Sequence, residues 1–145
     1  MTGLKFFNTE QNAKFLAFYE RAATLYPEMF VGFDFVSYEG MAPLVNFSNH
    51  VRDHFKDKEF EPKVLYHAGE SYSRSSTNCK EAILSGSPRI GHALNLLRDP
   101  ESIQQAKEKN ILIEACPLSN WVLGYTGDLH WHPVKFLKEF GLKIR

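Results

Sequence analysis

Tyr66-His67-Ala68-Gly69-Glu70-Ser71 brings an imidazole and a carboxyl group within three residues of each other. A neutral imidazole suits zinc, and a carboxyl three residues later can reach a metal-bound water without itself being a ligand. The same spacing also describes a capped turn, with His67 bonded to backbone and Glu70 in solvent. Three further groups carry similar chemistry: Asp34, Ser37 and Glu39; Gly91-His92; and Cys116-Pro117-Leu118-Ser119-Asn120. Taken alone, His92 reads as a core histidine with a satisfied ring. Each group, however, follows a short apolar run, and that shared placement is what a functional site requires.

The elements that must position these groups alternate along the chain. Residues 8–26 read as a helix, with Asn8 as cap, Gln11 at capping-box spacing, and Leu16, Tyr19, Ala23 and Tyr26 on one apolar stripe. Pro27 ends it. Residues 29–36 suit a buried strand, and a helix begins at Pro43 and runs through Leu44, Phe47, Val51 and Phe55. Strands follow at 63–67, 89–92 and 111–115, and helices at 78–84 and 100–109, the latter opened by Asp99-Pro100. His132-Pro133 opens another helix, stopped by Gly141, and residues 142–145 begin a strand.

Strand and helix thus recur about every 25 to 30 residues, the spacing of βαβ units with parallel strands. The expectation is an α/β fold of four strands and the start of a fifth, in one domain over residues 1–145. Two architectures fit, a partial (β/α)₈ TIM barrel or an open doubly wound sheet. No glycine-rich phosphate loop follows a strand, which disfavours the dinucleotide-binding form of the open sheet. In either fold, functional residues collect past the C-terminal ends of strands, where all four polar groups lie.

Composition narrows the classes further. Seventeen basic residues balance seventeen acidic ones, so no net field recruits nucleic acid or an anionic membrane. No apolar run reaches the roughly eighteen residues of a membrane span, and Met1 to Asn8 lacks the apolar core of a signal peptide. The two cysteines, Cys79 and Cys116, exclude a disulfide framework and read as small buried hydrophobes. His50 and His54 stand at i, i+4, but Val51 occupies the position of a metalloprotease glutamate and Arg52 follows, which favours a solvated face.

VGFDFVSYEG (31–40), YHAGES (66–71), RIGHA (89–93), IEACPLSN (113–120) and His132-Pro133 occur in order and together resemble the adenosine deaminase family, most closely its secreted growth factor branch. The resemblance implies a zinc-dependent hydrolase of purine nucleosides that turns adenosine and water into inosine and ammonia. It makes His67 a zinc ligand, Glu70 the general acid/base that donates to the purine ring nitrogen, and His92 the partner of the attacking hydroxide. Ser37 stands where the family has a glycine whose N–H contacts substrate, and Gly69 joins it as a substrate-binding residue. A protein following that branch is extracellular.

Several departures accompany the resemblance. The family's H-x-H zinc pair belongs to a strand that is not expected before Asn8, and its paired aspartates would follow Arg145. Ser37 and Ala93 replace glycines. His130-Trp131-His132 has H-x-H spacing, but it sits at the helix-opening His-Pro and reads as a loop and a cap. With one zinc ligand the chain alone is expected to be an inactive fragment; the alternative is a non-catalytic remnant that binds a nucleoside or pairs with another chain. A third reading, a deaminase of nucleotides or modified purines, calls for basic residues near strand ends, and only Arg74 and Arg89 are candidates. Half a barrel exposes two edges and strips facing layers from Phe33, Phe35, Leu65 and Ile113, which predicts a marginal chain that forms a homo-oligomer through those edges.

Overall fold

The computed structural model describes residues 2–4, 9–36, 38–39, 43–71 and 76–145. Its strands are β1 (Thr2–Leu4), β2 (Phe33–Val36), β3 (Val64–Ala68), β4 (Arg89–His92), β5 (Leu112–Glu114) and β6 (Lys143–Ile144). Its helices are α1 (Thr9–Leu25), α2 (Leu44–Phe55), α3 (Ser76–Leu84), α4 (Pro100–Glu108), α5 (Pro117–Val122) and α6 (Val134–Glu139), with a 3₁₀ turn at Leu94–Arg98. The strands form one sheet in the order β1-β2-β3-β4-β5-β6, and every neighbouring pair is parallel.

That order decides between the two architectures. A doubly wound sheet reverses its strand order and carries helices on both faces, whereas right-handed crossovers in unbroken order place every helix on one side. The chain is a partial (β/α)₈ barrel. β1 corrects the expectation that no strand precedes the first helix: Thr2-Gly3-Leu4 is too short to show a hydrophobic period, and pairing with Asp34-Phe35-Val36 is what makes it a strand.

Strand alternation sorts the sheet into two faces. Phe33, Phe35, Tyr66, Ile90 and Ile113 turn to the helices and join the core with Leu16, Tyr19, Leu44 and Val51. Aromatic contacts knit this layer: Tyr19 lies 5.4 Å from Phe33, and Phe35 stacks on Tyr66 at 5.8 Å. Phe33, Phe35 and Ile113 therefore are not stripped of facing layers, because they belong to the sheet–helix interface; all three are at most 1% exposed. Leu65, in register with Asp34, is on the opposite face and is nonetheless buried. On the apolar stripe of α1, Leu16, Tyr19 and Ala23 are buried, but Tyr26 lies past the helix end and is exposed.

Pro43 stands just outside α2 with extended backbone, and the orphan amide of Leu44 is capped from another helix by Asn78 Oδ1 at 2.9 Å. α4 carries its own cap: Asp99 accepts from the Ser102 amide at 3.1 Å, and Pro100 follows at the first position. Asn8, the expected cap of α1, lies outside the described residues.

Candidate active site

The barrel-facing side of the sheet is polar. Registers align Asp34 with Leu65, His67 with Gly91, and Gly91 with Glu114, so these residues share one face. His67 Nε2 lies 3.2 Å from Asp34 Oδ2. Its ring leans over β4, where a Cβ on Gly91 would stand 2.8 Å from the imidazole carbons. Gly91 is thus the floor that lets His67 lie flat against the neighbouring strand. Arg89, on the same face, donates to Glu114 at 2.9 Å.

The turn after β3 is held from below by a buried carboxylate. Glu39, only 3% exposed, accepts from the amides of Gly69 (2.5 Å), Glu70 (2.9 Å) and Ser71 (3.1 Å), and from Asn78 Nδ2 at 3.3 Å. Three consecutive N–H groups aimed at one point make an anion nest, and Glu39 fills it. Asn95 Nδ2 holds the other side of the turn by donating to the carbonyls of Gly69 (3.0 Å) and Ser71 (2.7 Å). Gly69 has φ +76° and no room for a Cβ against Cys79 Sγ. Its N–H donates to Glu39 and its C=O accepts from Asn95, and both bonds shape the turn.

Glu70 and His92 meet at the strand ends. His92 ends β4 in the left-handed region (φ 67°), and Ala93 follows suit (φ 54°), consecutive non-glycine residues in a conformation held only where surroundings impose it. Glu70 Oε1 lies 3.3 Å from His92 Nδ1, and the His67 and His92 rings stand 5.0 Å apart, edge to face. α5, opened by Pro117 at its first position, delivers two more groups to Glu70: Asn120 Nδ2 donates to Oε1 at 3.2 Å and Ser119 Oγ at 3.4 Å. Asn120 is fully buried and also touches His92 Nδ1 (2.9 Å) and His132 Nε2 (3.2 Å).

Five of the positions singled out in the sequence therefore converge: His67, Glu70, His92, Ser119 and Asn120. Ser37 and Arg74 lie outside the described residues. Asp34 and Glu39 stood out as strand-end polar residues, but their partners, His67 and the 69–71 amides, are set by pairing between elements far apart in sequence. His130 and His132 are not a ligand pair: His130 is exposed and bonds Asp128, while His132 is buried against Asn120. His54 joins Glu20 and Lys58 in a surface cluster.

Zinc is the metal this donor set suits in type, since an imidazole and a carboxylate face one another and Asp34 Oδ1 is buried with no hydrogen-bond partner among the described residues. It does not suit zinc in number: no group of three or more His, Cys, Asp or Glu poised around one point occurs among the described residues. The carboxylates leave their mark on Cys116, whose thiol is pushed up by burial and then by Glu70, Glu114 and Asp34.

A sequence model of the adenosine deaminase family matches residues 4–145. The chain belongs to the adenosine deaminase family. It is 34% identical over 119 residues to adenosine deaminase 2-A of Danio rerio, a match covering 80% of this chain and 24% of that protein. Adenosine deaminase 2 of Dictyostelium discoideum is 34% identical over 123 residues, 82% of this chain and 23% of the relative. The chain thus spans about a quarter of the length of these relatives. Among solved structures, adenine deaminase from Arthrobacter aurescens superposes with a TM-score of 0.79 at 21% identity, covering 99% of this chain and 41% of the other. A zinc-bound amidohydrolase from Burkholderia ambifaria (TM-score 0.77, 18% identity, 99% and 39% covered) and an Arabidopsis deaminase complexed with IMP (0.76, 17%, 99% and 39%) share the fold.

Proposed function

We propose that this chain carries the proton-transfer side of an adenosine-deaminating site, in which adenosine and water become inosine and ammonia. The observation that supports it most is the meeting of Glu70, His92 and His67 at two adjacent strand ends, with Glu70 steadied by α5. Attack at C6 makes that carbon tetrahedral and sends electron density to the adjacent ring nitrogen, which must gain a proton. Glu70 is the group placed to donate it, and afterwards to carry a proton to the departing ammonia. His92 is placed to hold the attacking oxygen on one face of the ring by a hydrogen bond. His67, with Asp34 beside it, would supply two of the donors of a zinc site, and zinc held there would lower the pKa of a bound water molecule. The backbone at Ser37 is the proposed contact to the purine.

Among the described residues, the candidate phosphate partner Arg89 is bonded to Glu114, which favours a nucleoside over a nucleotide. A second reading is favoured by the short zinc donor set: the chain binds a purine nucleoside without turning it over. Mixing the chain with zinc and adenosine while following absorbance and calorimetric heat separates the two. Turnover that Glu70→Gln reduces by roughly a hundredfold or more supports the catalytic reading. Binding heat without turnover supports the second. Turnover that survives Glu70→Gln overturns the role given to Glu70.

A further inference from the structure

The network behind Glu70 and His92 has a direction that can be read from one atom that cannot change its role. The Val134 backbone N–H is a donor only, and it donates to His132 Nδ1 at 3.2 Å. That ring nitrogen is therefore bare. A neutral imidazole carries its proton on the other nitrogen, so His132 Nε2–H donates to its partner, Asn120 Oδ1, at 3.2 Å. Burial agrees, since it lowers the pKa of His132 and keeps the ring neutral. With the Asn120 oxygen committed to His132, its amide nitrogen faces the site and offers two protons. One goes to Glu70 Oε1 (3.2 Å) and the other to His92 Nδ1 (2.9 Å). The reverse orientation of Asn120 would set an NH₂ group against His132 Nε2 and force a proton onto Nδ1, against the Val134 N–H. It would also turn an oxygen towards the Glu70 carboxylate.

We infer that Asn120 and His132 are positioning residues: a one-way relay from the Val134 amide fixes the amide of Asn120, binds the Glu70 carboxylate, and holds His92 with Nδ1 bare and its proton on Nε2. The 3.3 Å contact of His92 with Glu70 is then two acceptors sharing one amide, not an ion pair. The consequence for catalysis rests on the deaminase reading above. A bare Nδ1 leaves His92 Nε2–H as a donor on the far side of the ring, the polarity needed to hold a hydroxide. Glu70 meanwhile has Oε1 tied to α5 by Asn120 and Ser119. No link in the relay is a contact to substrate, and each partner comes from a different segment: α5, the turn before α6, and the ends of β3 and β4.

The test reads protonation of the ring nitrogens directly, by long-range proton–nitrogen correlation NMR on the zinc-free chain with labelled histidine, near neutral pH. The wild-type chain is expected to show His92 and His132 each with a protonated Nε2 and a bare Nδ1. Asn120→Asp replaces the donor facing His92 by an acceptor of the same shape, so a proton is expected to appear on His92 Nδ1 while His132 keeps its own on Nε2. His132→Ala frees Asn120 to turn over, and the single pattern of His92 is expected to be lost; this variant serves if Asn120→Asp fails to fold. A wild-type His92 with a protonated Nδ1 overturns the relay. So does a bare Nδ1 in folded Asn120→Asp, or an unchanged His92 in folded His132→Ala. Because no substrate is present, the outcome is independent of adenosine turnover: the relay can stand while the deaminase reading falls, and the reverse.

Discussion

At the scale of single residues, the site is shaped as much by what is missing as by what is present. Gly91 has no side chain, and only that absence lets the His67 imidazole rest on β4. Gly91→Ala is expected to push the ring aside and lower stability by about 1–3 kcal/mol, the usual cost of overpacking; urea titration measures the second effect, and the His67 ring resonances the first. Glu39 acts through the amides it accepts from. Removing it in Glu39→Ala leaves three N–H groups without their carboxylate, two of them on fully buried residues, Gly69 and Ser71. A loss of about 2 kcal/mol or more is expected from unfolding curves, together with broadening of the Glu70 signals as the turn loosens. Cys116 reports on the charge of the site. Its thiol is raised by burial and by three carboxylates, so less of it is thiolate at any given pH than for a free cysteine. Its alkylation rate is expected to rise with pH along a curve displaced above that of free cysteine, and a curve displaced below it would contradict the acidic surroundings.

Among the elements, helix starts show how local and distant causes divide. α4 is specified by adjacent residues: Asp99 caps, Pro100 begins, and Ser102 returns two hydrogen bonds to the Asp99 carboxylate. Those bonds hold Asp99 below the usual aspartate range. Its contribution is therefore present above the unfolded-state pKa, near 3.9, and is lost as pH falls through the lower folded value. Asp99→Ala is expected to cost about 1 kcal/mol at neutral pH, and the gap to wild type is expected to close in acid, as measured by thermal unfolding across pH. α2 is the opposite case, since its first amide is capped by Asn78 from α3. α5 is intermediate. Pro117 starts it, but its short length and exposed Leu118, Trp121 and Val122 hide it from any apolar period, and the sequence reads there as a polar strand end.

For the whole molecule, the parallel sheet has β1 and β6 at its edges, and a parallel sheet edge offers unpaired backbone groups to another chain. Concentration-dependent association of this 145-residue chain is expected in sedimentation velocity, and a single monomeric species at all concentrations would contradict it. The strand–helix alternation and the polar strand ends were legible in the sequence, with His67, Glu70 and His92 as candidates at those ends, because each depends on the period and order of neighbouring residues. The family was legible for the same reason: ordered motifs survive without coordinates. What only the tertiary structure decided was direction and pairing. Phe33 and Phe35 read as inner-face residues until the register assigned them to the helices, since alternation alone states that two faces exist without saying which is which. The sequence showed His132 only as a helix-opening cap. Its second role arises from packing that brings α5 and the start of α6 against the ends of β3 and β4, where the Val134 amide sets the direction of the hydrogen bonds that run through His132 and Asn120.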